Sequence, residues 1–215
     1  MFMDKIKNNP HKVYYIFSLG YIIWSIVLGI ILSNGLVIFL GWNMFLATIV
    51  LVLSEIADVL IKKNKPKGLL ITIILLWILF FPNAFYILTD FIHFQEYVYF
   101  LNYPNLYAFK FYDWIIFFHI VCGALIGLKL GILSIDYFIQ YVKKHQTIYL
   151  SILFLASSFG IYLGRFIRLN SWDIFKIHII IQEVFEQFWF MVGFVILFSI
   201  IHWISYLLFK EKRIK

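Results

Sequence analysis

The run LLITIILLWILFFPNAFYILT, Leu69–Thr89, decides the fold class because its 21 residues include no charged side chain. A helix rises about 1.5 Å per residue, so about 20 apolar residues cross a hydrocarbon core of about 30 Å. Five further segments have comparable length and character: Val13–Leu32, Leu36–Leu60, Trp114–Ile135, Ile148–Ile167 and Phe188–Phe209. The sequence therefore predicts an all-α, polytopic membrane bundle of six transmembrane helices, forming one domain over residues 1–215.

The composition supports a membrane protein and excludes several other classes. Of the 215 residues, 63% are hydrophobic and 13% are charged, whereas a soluble domain has about 25% charged residues. Cys122 is the only cysteine, which excludes an intrachain disulfide and a cysteine metal cluster. The net charge of +7 comes from basic residues in short segments between apolar runs. This distribution indicates the lipid bilayer as a partner and argues against nucleic acid.

The basic residues also predict the orientation of the chain. If the N-terminus is cytoplasmic, 13 of the 18 basic residues fall on the cytoplasmic side: Lys5, Lys7, Lys12, Lys62, Lys63, Lys65, Lys67, Lys143, Lys144, Lys210, Lys212, Arg213 and Lys215. Cytoplasmic loops are typically enriched in lysine and arginine. The first apolar run lacks a small-residue cleavage site, so we expect it to be retained as a helix. Both termini are therefore predicted to be cytoplasmic.

Glycines recur at a spacing of four in two of the predicted helices. Gly123, Gly127 and Gly131 lie in the fourth, and Gly160 and Gly164 lie in the fifth. This spacing places the glycines on one helical face, where a neighbouring backbone can approach closely. The pattern predicts tight packing of these two helices in the bundle.

Polar residues interrupt the end of the third apolar run. At 100° per residue, Asn83, Tyr86, Asp90 and His93 fall within an arc of about 80° on one helical face. With the predicted orientation, Asp90 lies near the outer boundary of the membrane. Pro82 removes a backbone donor, so we expect a kink at that position.

A second polar stretch, GIYLGRFIRLNSWD over residues 160–173, ends the fifth apolar run. Tyr162, Arg165 and Arg168 recur at a spacing of three, which predicts that they share a helical face. Isolated charges inside a membrane are costly and usually face one another. We therefore expect five charged residues to converge on the outer side: Asp90, Asp113, Asp173, Arg165 and Arg168.

The motifs FPNAFYILTDFIH and GIYLGRFIRLNSWD resemble those of a family of uncharacterised bacterial integral membrane proteins, the domain-of-unknown-function family 1361. The resemblance implies six helices and a multi-pass location in the bacterial plasma membrane, and it implies no activity. Phe85 departs from the family, many of whose members have proline at that position. The matching positions are Pro82, Asn83, Tyr86, Thr89, Asp90, His93, Asp113, Gly164, Arg165, Arg168, Asn170, Ser171, Trp172 and Asp173.

Three functional hypotheses follow. The first is a site at the outer leaflet that binds or processes a lipid or a lipid-linked envelope precursor, with Asp90 and His93 as acid–base catalysts. The arginines would hold its phosphate or carboxylate group. The second is a small ion-coupled transporter, since Pro82 suggests a broken helix, and the third is a non-catalytic assembly protein. The candidate binding residues are Asn83, Tyr86, Asp113, Arg165, Arg168, Trp172 and Asp173.

Two further features leave alternatives open. Asp90 and His93, three residues apart, could offer two metal ligands on one face, but a simple ion pair of Asp90 with an arginine explains the same residues. We predict no metal site, and the sequence specifies no cofactor. The segment SWDIFKIHIIIQEVFEQ, Ser171–Gln187, mixes apolar and charged residues. It predicts either an interfacial helix or lid, or an ordinary loop with an apolar underside.

Overall fold

The computed structural model describes residues 11–100, 106–169 and 177–211. Within these ranges the chain forms eight α-helices and one 3-10 segment. They are α1 (Lys12–Ile31), α2 (Gly35–Lys62), α3 (Lys67–Phe80), α4 (Pro82–Tyr86), the 3-10 segment (Ile87–Glu96), α5 (Phe111–Ile139), α6 (Gln146–Phe166), α7 (Ile177–Glu186) and α8 (Phe188–Phe209).

Six spans are long and apolar enough to cross a membrane, which confirms the predicted fold class. Helices α1, α2, α5, α6 and α8 each form one span, and α3, α4 and the 3-10 segment together form another. The outside of the bundle carries large apolar side chains, such as Ile30 at 66% exposure and Leu208 at 71%. Such a surface suits contact with lipid tails rather than with water.

The centre of the bundle lies between α2 and α5. Helix α2 packs against α1, α3, α4 and α5, and α5 also contacts α1, α8 and the 3-10 segment. Met44 and Val50 on α2 and Ile120 and Leu130 on α5 have no exposed surface. Asn34 caps the start of α2, because its side-chain oxygen accepts a hydrogen bond from the Leu36 amide at 2.9 Å. The cap fixes where this central helix begins.

The third span is interrupted once and then changes its winding. Helix α3 ends at Phe80, and α4 begins with Pro82, which has no backbone N–H to donate and is therefore tolerated in a first turn. Phe81 between them keeps right-handed helical angles, φ −51° and ψ −40°, so the expected kink is an interruption of the hydrogen-bond ladder. From Ile87 onward the chain is a 3-10 helix. The α-helical winding predicted for residues 87–93 was therefore wrong.

The glycines of α5 and α6 leave space for the short helix α4 to pack closely against both helices. A Cβ atom added at Gly127 would lie 3.1 Å from the Ala84 carbonyl oxygen, and one added at Gly131 would lie 3.0 Å from the Ala84 Cβ. On α6, a Cβ at Gly160 would lie 2.9 Å from Cγ of Pro82. Larger side chains would therefore push α4 away, which confirms the predicted close packing. The glycines hold α4 between α5 and α6.

Part of the segment 171–187 is helical. Helix α7, Ile177–Glu186, contacts the start of α8, and the Gln182 side-chain amide donates to the Glu186 carboxylate at 3.0 Å. The described part of the segment 171–187 is therefore helical, as the first of the two alternatives predicted. Its placement at a membrane interface stays a prediction.

Candidate functional site

An ion pair joins α6 to the 3-10 segment. The Nη2 atom of Arg165 lies 2.5 Å from Oδ1 of Asp90. Asp90 has no exposed side-chain surface, and Arg165 is 14% exposed. A buried carboxylate requires a partner of this kind, because moving an isolated charge out of water is costly. The predicted contact between these two residues is confirmed.

Two neighbours of Asp90 complete the surroundings of the Arg165 guanidinium. Its Nε and Nη2 atoms donate to the Thr89 hydroxyl oxygen, at 2.8 and 2.5 Å. The Tyr86 ring packs over the guanidinium, with 4.4 Å between the Cζ atom and the ring centroid. The Thr89 hydroxyl itself donates to the Tyr86 carbonyl oxygen at 2.6 Å. Arg165 is therefore held on two sides by consecutive turns of the third span.

Asn43 is a member of the site that the sequence analysis missed. It lies in α2, is 5% exposed, and its Nδ2 atom donates to Oδ2 of Asp90 at 3.0 Å. Both carboxylate oxygens of Asp90 are thus hydrogen-bonded, one to each neighbouring helix. A signal was present, because an asparagine within a long apolar helix needs a partner inside the membrane. No motif indicated which partner it would have.

Asp113 does not contact Asp90 or Arg165. The prediction that it converges with the other charged residues was therefore wrong. Its Oδ2 atom accepts a hydrogen bond from the Val98 amide at 3.0 Å, and it lies in the first turn of α5. An aspartate in that position is stabilised by the helix dipole. Burial and, to a smaller extent, the Asp113 carboxylate raise the pKa of the nearby Tyr99 phenol to about 12. Asp113 therefore fastens the loop before α5.

His93 lies at the edge of the site rather than at its centre. Its Nδ1 atom is 2.5 Å from Oε1 of Glu96, and its side chain is 21% exposed. Among the described residues, no group of three histidine, cysteine, aspartate or glutamate side chains is placed to hold a metal ion. The acid–base roles assigned to Asp90 and His93 stay predictions.

Arg168 follows the end of α6 in an unusual backbone conformation. The helix ends at Phe166, and Arg168 has φ 59°, in the left-handed region that favours glycine. The Leu169 amide donates to the Leu163 carbonyl oxygen at 3.2 Å, which satisfies one of the last carbonyl groups of α6. Arginine therefore occupies the cap position where glycine is usually found.

The expected common face of Tyr162, Arg165 and Arg168 was wrong. Tyr162 is 1% exposed and packs toward α8, with 6.2 Å between its ring centroid and that of Phe194. Arg165 instead faces the 3-10 segment, and Arg168 lies beyond the end of the helix. For Arg168 the reason is that α6 ends at Phe166, so the spacing of three does not continue as a helical face.

A cavity of about 830 Å³ opens beside the ion pair, between α2, α3, α4 and α6. This volume lies within the usual range of ligand sites, about 300–1,000 Å³. Its apolar walls include Phe39, Trp42, Leu46, Ile78 and Leu163, and its polar lining includes Asn43, Asn83, Tyr86, His93, Arg165 and Arg168. Trp42 is 46% exposed, so the cavity opens to the outside of the bundle.

The site residues still to be compared with their prediction are Asn83, Trp172 and Asp173. Asn83 lines the cavity, and its Nδ2 atom donates to the Phe80 carbonyl oxygen at 2.9 Å. That carbonyl lies just before the interruption at Pro82, so Asn83 stabilises the break in the third span. Trp172 and Asp173, which were predicted to contribute to the site, lie outside the described residues.

The fold and the site define a six-span helical membrane protein with a cavity that ends at a buried arginine–aspartate pair. Residues 42–205 match the family described as protein of unknown function (DUF1361), and the chain belongs to that family. The match covers both polar motifs, from Asn43 through the end of α6. Neither the comparison with curated proteins nor the comparison with solved structures gives a match.

Proposed function

We propose that this protein binds, and acts on, a lipid or lipid-linked envelope precursor with a phosphate or carboxylate group. The observation that carries the proposal is the composition of the cavity: two arginines line it, and most of its remaining walls are apolar. A lipid with an anionic head group and apolar acyl chains would match the arginines and the apolar walls, respectively. Guanidinium groups suit phosphate and carboxylate oxygens because they donate two parallel hydrogen bonds.

The net positive charge at the cavity comes from Arg168. The charge of Arg165 is balanced by Asp90 at 2.5 Å, whereas Arg168 is exposed and has no carboxylate partner among the described residues. Keeping an arginine at a left-handed position costs about 1 kcal/mol relative to glycine. That cost is understandable if the guanidinium is needed for a ligand.

The depth of the cavity suits an acyl chain. Its lining on α6 runs from Leu153 to Arg165, which at about 1.5 Å per residue corresponds to about 18 Å along the helix axis. Half-exposed apolar residues, Trp42 and Ile78, flank the opening. A lipid could therefore enter sideways from the bilayer with its head group near the arginines.

The other polar residues divide into two roles under this proposal. Tyr86 and Asn83 line the cavity close to Arg165 and contact the head group. His93, at the edge of the cavity, is the candidate acid–base residue. Asp90 holds Arg165 in position, since its own oxygens are already bonded to Arg165 and Asn43.

We further propose that the cavity opens toward the outer leaflet of a bacterial plasma membrane and that both termini are cytoplasmic. The distribution of basic residues supports this orientation. The ion pair lies where α6 ends and close to where α2 begins, at the end of the bundle opposite the Lys62–Lys67 turn. The arginines would then meet lipid head groups at the outer surface.

A transporter is the second candidate, because the third span is interrupted at Pro82 next to the cavity. Carriers commonly use broken helices, but their sites lie near the middle of the membrane. Here the ion pair lies near one end of the bundle, which favours a lipid site. Saturable uptake of a solute by vesicles containing the purified protein would instead support transport.

The proposal is tested by the lipids that purify with the protein. We expect mass spectrometry of the detergent-solubilised wild type to show enrichment of anionic lipids over the membrane extract. Arg168→Gly should lose most of that enrichment. Lys143→Gly, which removes an exposed positive charge from the turn between α5 and α6, should keep it. Equal lipid content in Arg168→Gly and wild type would overturn the proposal.

A further inference from the structure

A serine–histidine pair is buried between α6 and α8, away from the arginines. The Oγ atom of Ser157 lies 3.0 Å from Nε2 of His202. His202 has no exposed surface, and Ser157 is 2% exposed. The pair connects two helices, and none of the roles assigned above uses it.

The hydrogen bonds of His202 determine its tautomer. Its Nδ1 atom is 2.9 Å from the Phe198 carbonyl oxygen, and a carbonyl oxygen can only accept. Nδ1 therefore carries the proton, and Nε2 of the neutral ring presents a lone pair to the Ser157 hydroxyl. The Ser158 hydroxyl lies 3.4 Å from the same Nδ1. Ser157 is thus the donor and His202 the acceptor, as in a nucleophile activated by a base.

Ser157 differs from other buried serines of the bundle. Serines in helices commonly donate to a carbonyl one turn earlier, and several here do so: Ser18, Ser25, Ser54, Ser134 and Ser199. Within the described residues, the Ser157 hydroxyl has His202 as its partner instead of its own helix. Its proton is therefore directed at the imidazole.

The position of the pair allows contact with a ligand. Ser157 belongs to the α6 face that lines the cavity, between Leu153 and Gly160. The His202 ring is stacked on Phe85, with 4.1 Å between ring centroids and 26° between planes, which fixes its orientation. The base is thus rigid, and the nucleophile lies at the boundary between the base and the cavity.

We propose that Ser157 and His202 form a nucleophile–base dyad that cleaves an acyl ester of the bound lipid. Ser157 Oγ forms a bond to the acyl carbonyl carbon while its proton moves to His202 Nε2. The bond from that carbon to the alcohol oxygen then breaks, and His202 returns the proton to the departing alcohol. A water molecule that enters through the cavity next attacks the acyl carbon and gives a proton to His202 Nε2. The bond from that carbon to Ser157 Oγ then breaks, the acid leaves, and His202 returns the proton to Ser157.

The substrate class rests on the proposed lipid site. Ser157 precedes Arg165 by eight residues, or about 12 Å along α6. Both residues line the same cavity, with Ser157 deeper along α6 than Arg165. An anionic group bound by the arginines would place ester groups of the same lipid at the level of Ser157.

A serine-directed reagent tests the dyad without requiring knowledge of the lipid. The purified wild type is incubated with an alkyl fluorophosphonate, and the intact mass and the modified peptide are measured. We expect one phosphonyl group per chain, located on Ser157. Because a general base contributes about 10²–10⁴ in rate, His202→Gln should slow the modification by about 100-fold or more.

Ser54→Ala is the matched control, since Ser54 is equally buried but donates to the Leu51 carbonyl of its own helix. It should be modified at the wild-type rate, while Ser157→Ala should not be modified. An unmodified wild type, or a label on another residue, would overturn the dyad even if variants fold poorly. The lipid proposal is judged separately, because Ser157→Ala keeps both arginines and should still purify with anionic lipid.

The two proposals can therefore fail independently. Anionic lipid without modification of Ser157 would refute the dyad alone. Modification of Ser157 without enrichment of anionic lipid would refute the lipid site alone.

Discussion

Arg165 and Asp90 are 75 positions apart in the chain, yet Nη2 of the arginine lies 2.5 Å from Oδ1 of the aspartate. The pair fastens the end of α6 to the 3-10 segment, and Asn43 attaches the same carboxylate to α2. Three parts of the bundle thus meet at one carboxyl group. Because this carboxyl group is fully buried, its replacement should affect the stability of the whole bundle.

Asp90→Asn should lower the free energy of unfolding by about 3–5 kcal/mol, because the Arg165 charge would be left buried without a counter-charge. The Tm of the detergent-solubilised protein measures this. Glu211→Gln is the control, since it removes the exposed ion pair of Glu211 with Lys129 at 3.0 Å and should cost less than about 1 kcal/mol. Equal Tm values for the two variants would mean that the buried pair contributes little to stability.

Gly127→Ala should destabilise the bundle by about 1–3 kcal/mol, the usual cost of overpacking. The added methyl group would lie 2.6 Å from Cδ1 of Ile87 and 3.1 Å from the Ala84 carbonyl oxygen. Gly193→Ala is the matched control, because nothing lies within 4 Å of its Cβ position. That variant should be neutral or more stable, since alanine favours a helix by up to about 1 kcal/mol. The close packing of α4 on α5 would be refuted by the reverse order of Tm.

Arg168→Gly should keep or raise the Tm, although it removes the guanidinium from the cavity. Glycine adopts φ 59° without the steric conflict that arginine has there, which is worth about 1 kcal/mol. Thermal unfolding is compared with that of wild type after both have been stripped of lipid. A loss of Tm would show that the Arg168 side chain stabilises the fold, and its assignment to a ligand would then be unnecessary.

His93→Ala should leave stability nearly unchanged, because the His93–Glu96 pair is partly exposed and such pairs contribute less than about 1 kcal/mol. We expect loss of the reaction on the lipid, because the proposed acid–base group is removed. Glu96→Gln is the control, since it keeps the imidazole at the cavity while removing its carboxylate partner. If His93→Ala retains full function at normal Tm, the acid–base role of His93 must be abandoned.

Reporter fusions test the orientation. Fusions at Lys65 and Lys144 should be read as cytoplasmic, and a fusion near position 105 should be read as external, since lysine-rich segments stay in the cytoplasm. A reporter whose activity requires export and one that requires the cytoplasm give opposite signals at each site. An external signal at Lys65 would reverse the orientation and place the arginines at the inner leaflet.

The six spans could be predicted because the length of an apolar run reports directly on the thickness of a bilayer. The pairing of Asp90 with Arg165 could also be predicted, because a membrane tolerates few isolated charges. This argument did not identify Asn43, since a neutral amide has no charge that requires an oppositely charged partner. It also gave the wrong position for Asp113, because the carboxylate of Asp113 is hydrogen-bonded to the Val98 amide instead of an arginine.

The 3-10 segment and the Ser157–His202 contact could not be predicted, for a different reason. Both involve tertiary packing: the 3-10 segment lies against α5, and the Ser157–His202 contact joins α6 to α8. Periodicity describes one helix at a time, so it assigned Asp90 to a regular α-helical face and indicated no partner for His202. His202 is buried and hydrogen-bonded within its own helix, but its serine partner lies 45 residues away.

The winding of the 3-10 segment links the ion pair to the mechanics of the third span. A 3-10 helix turns 120° and rises about 2.0 Å per residue, whereas an α-helix turns 100° and rises about 1.5 Å. Counted from Ile87, rewinding into an α-helix would rotate Asp90 by about 60° and draw it about 1.5 Å along the axis. Asp90 could not follow that rotation and stay on Arg165. Torsion of this segment and release of the arginine are therefore one coupled movement.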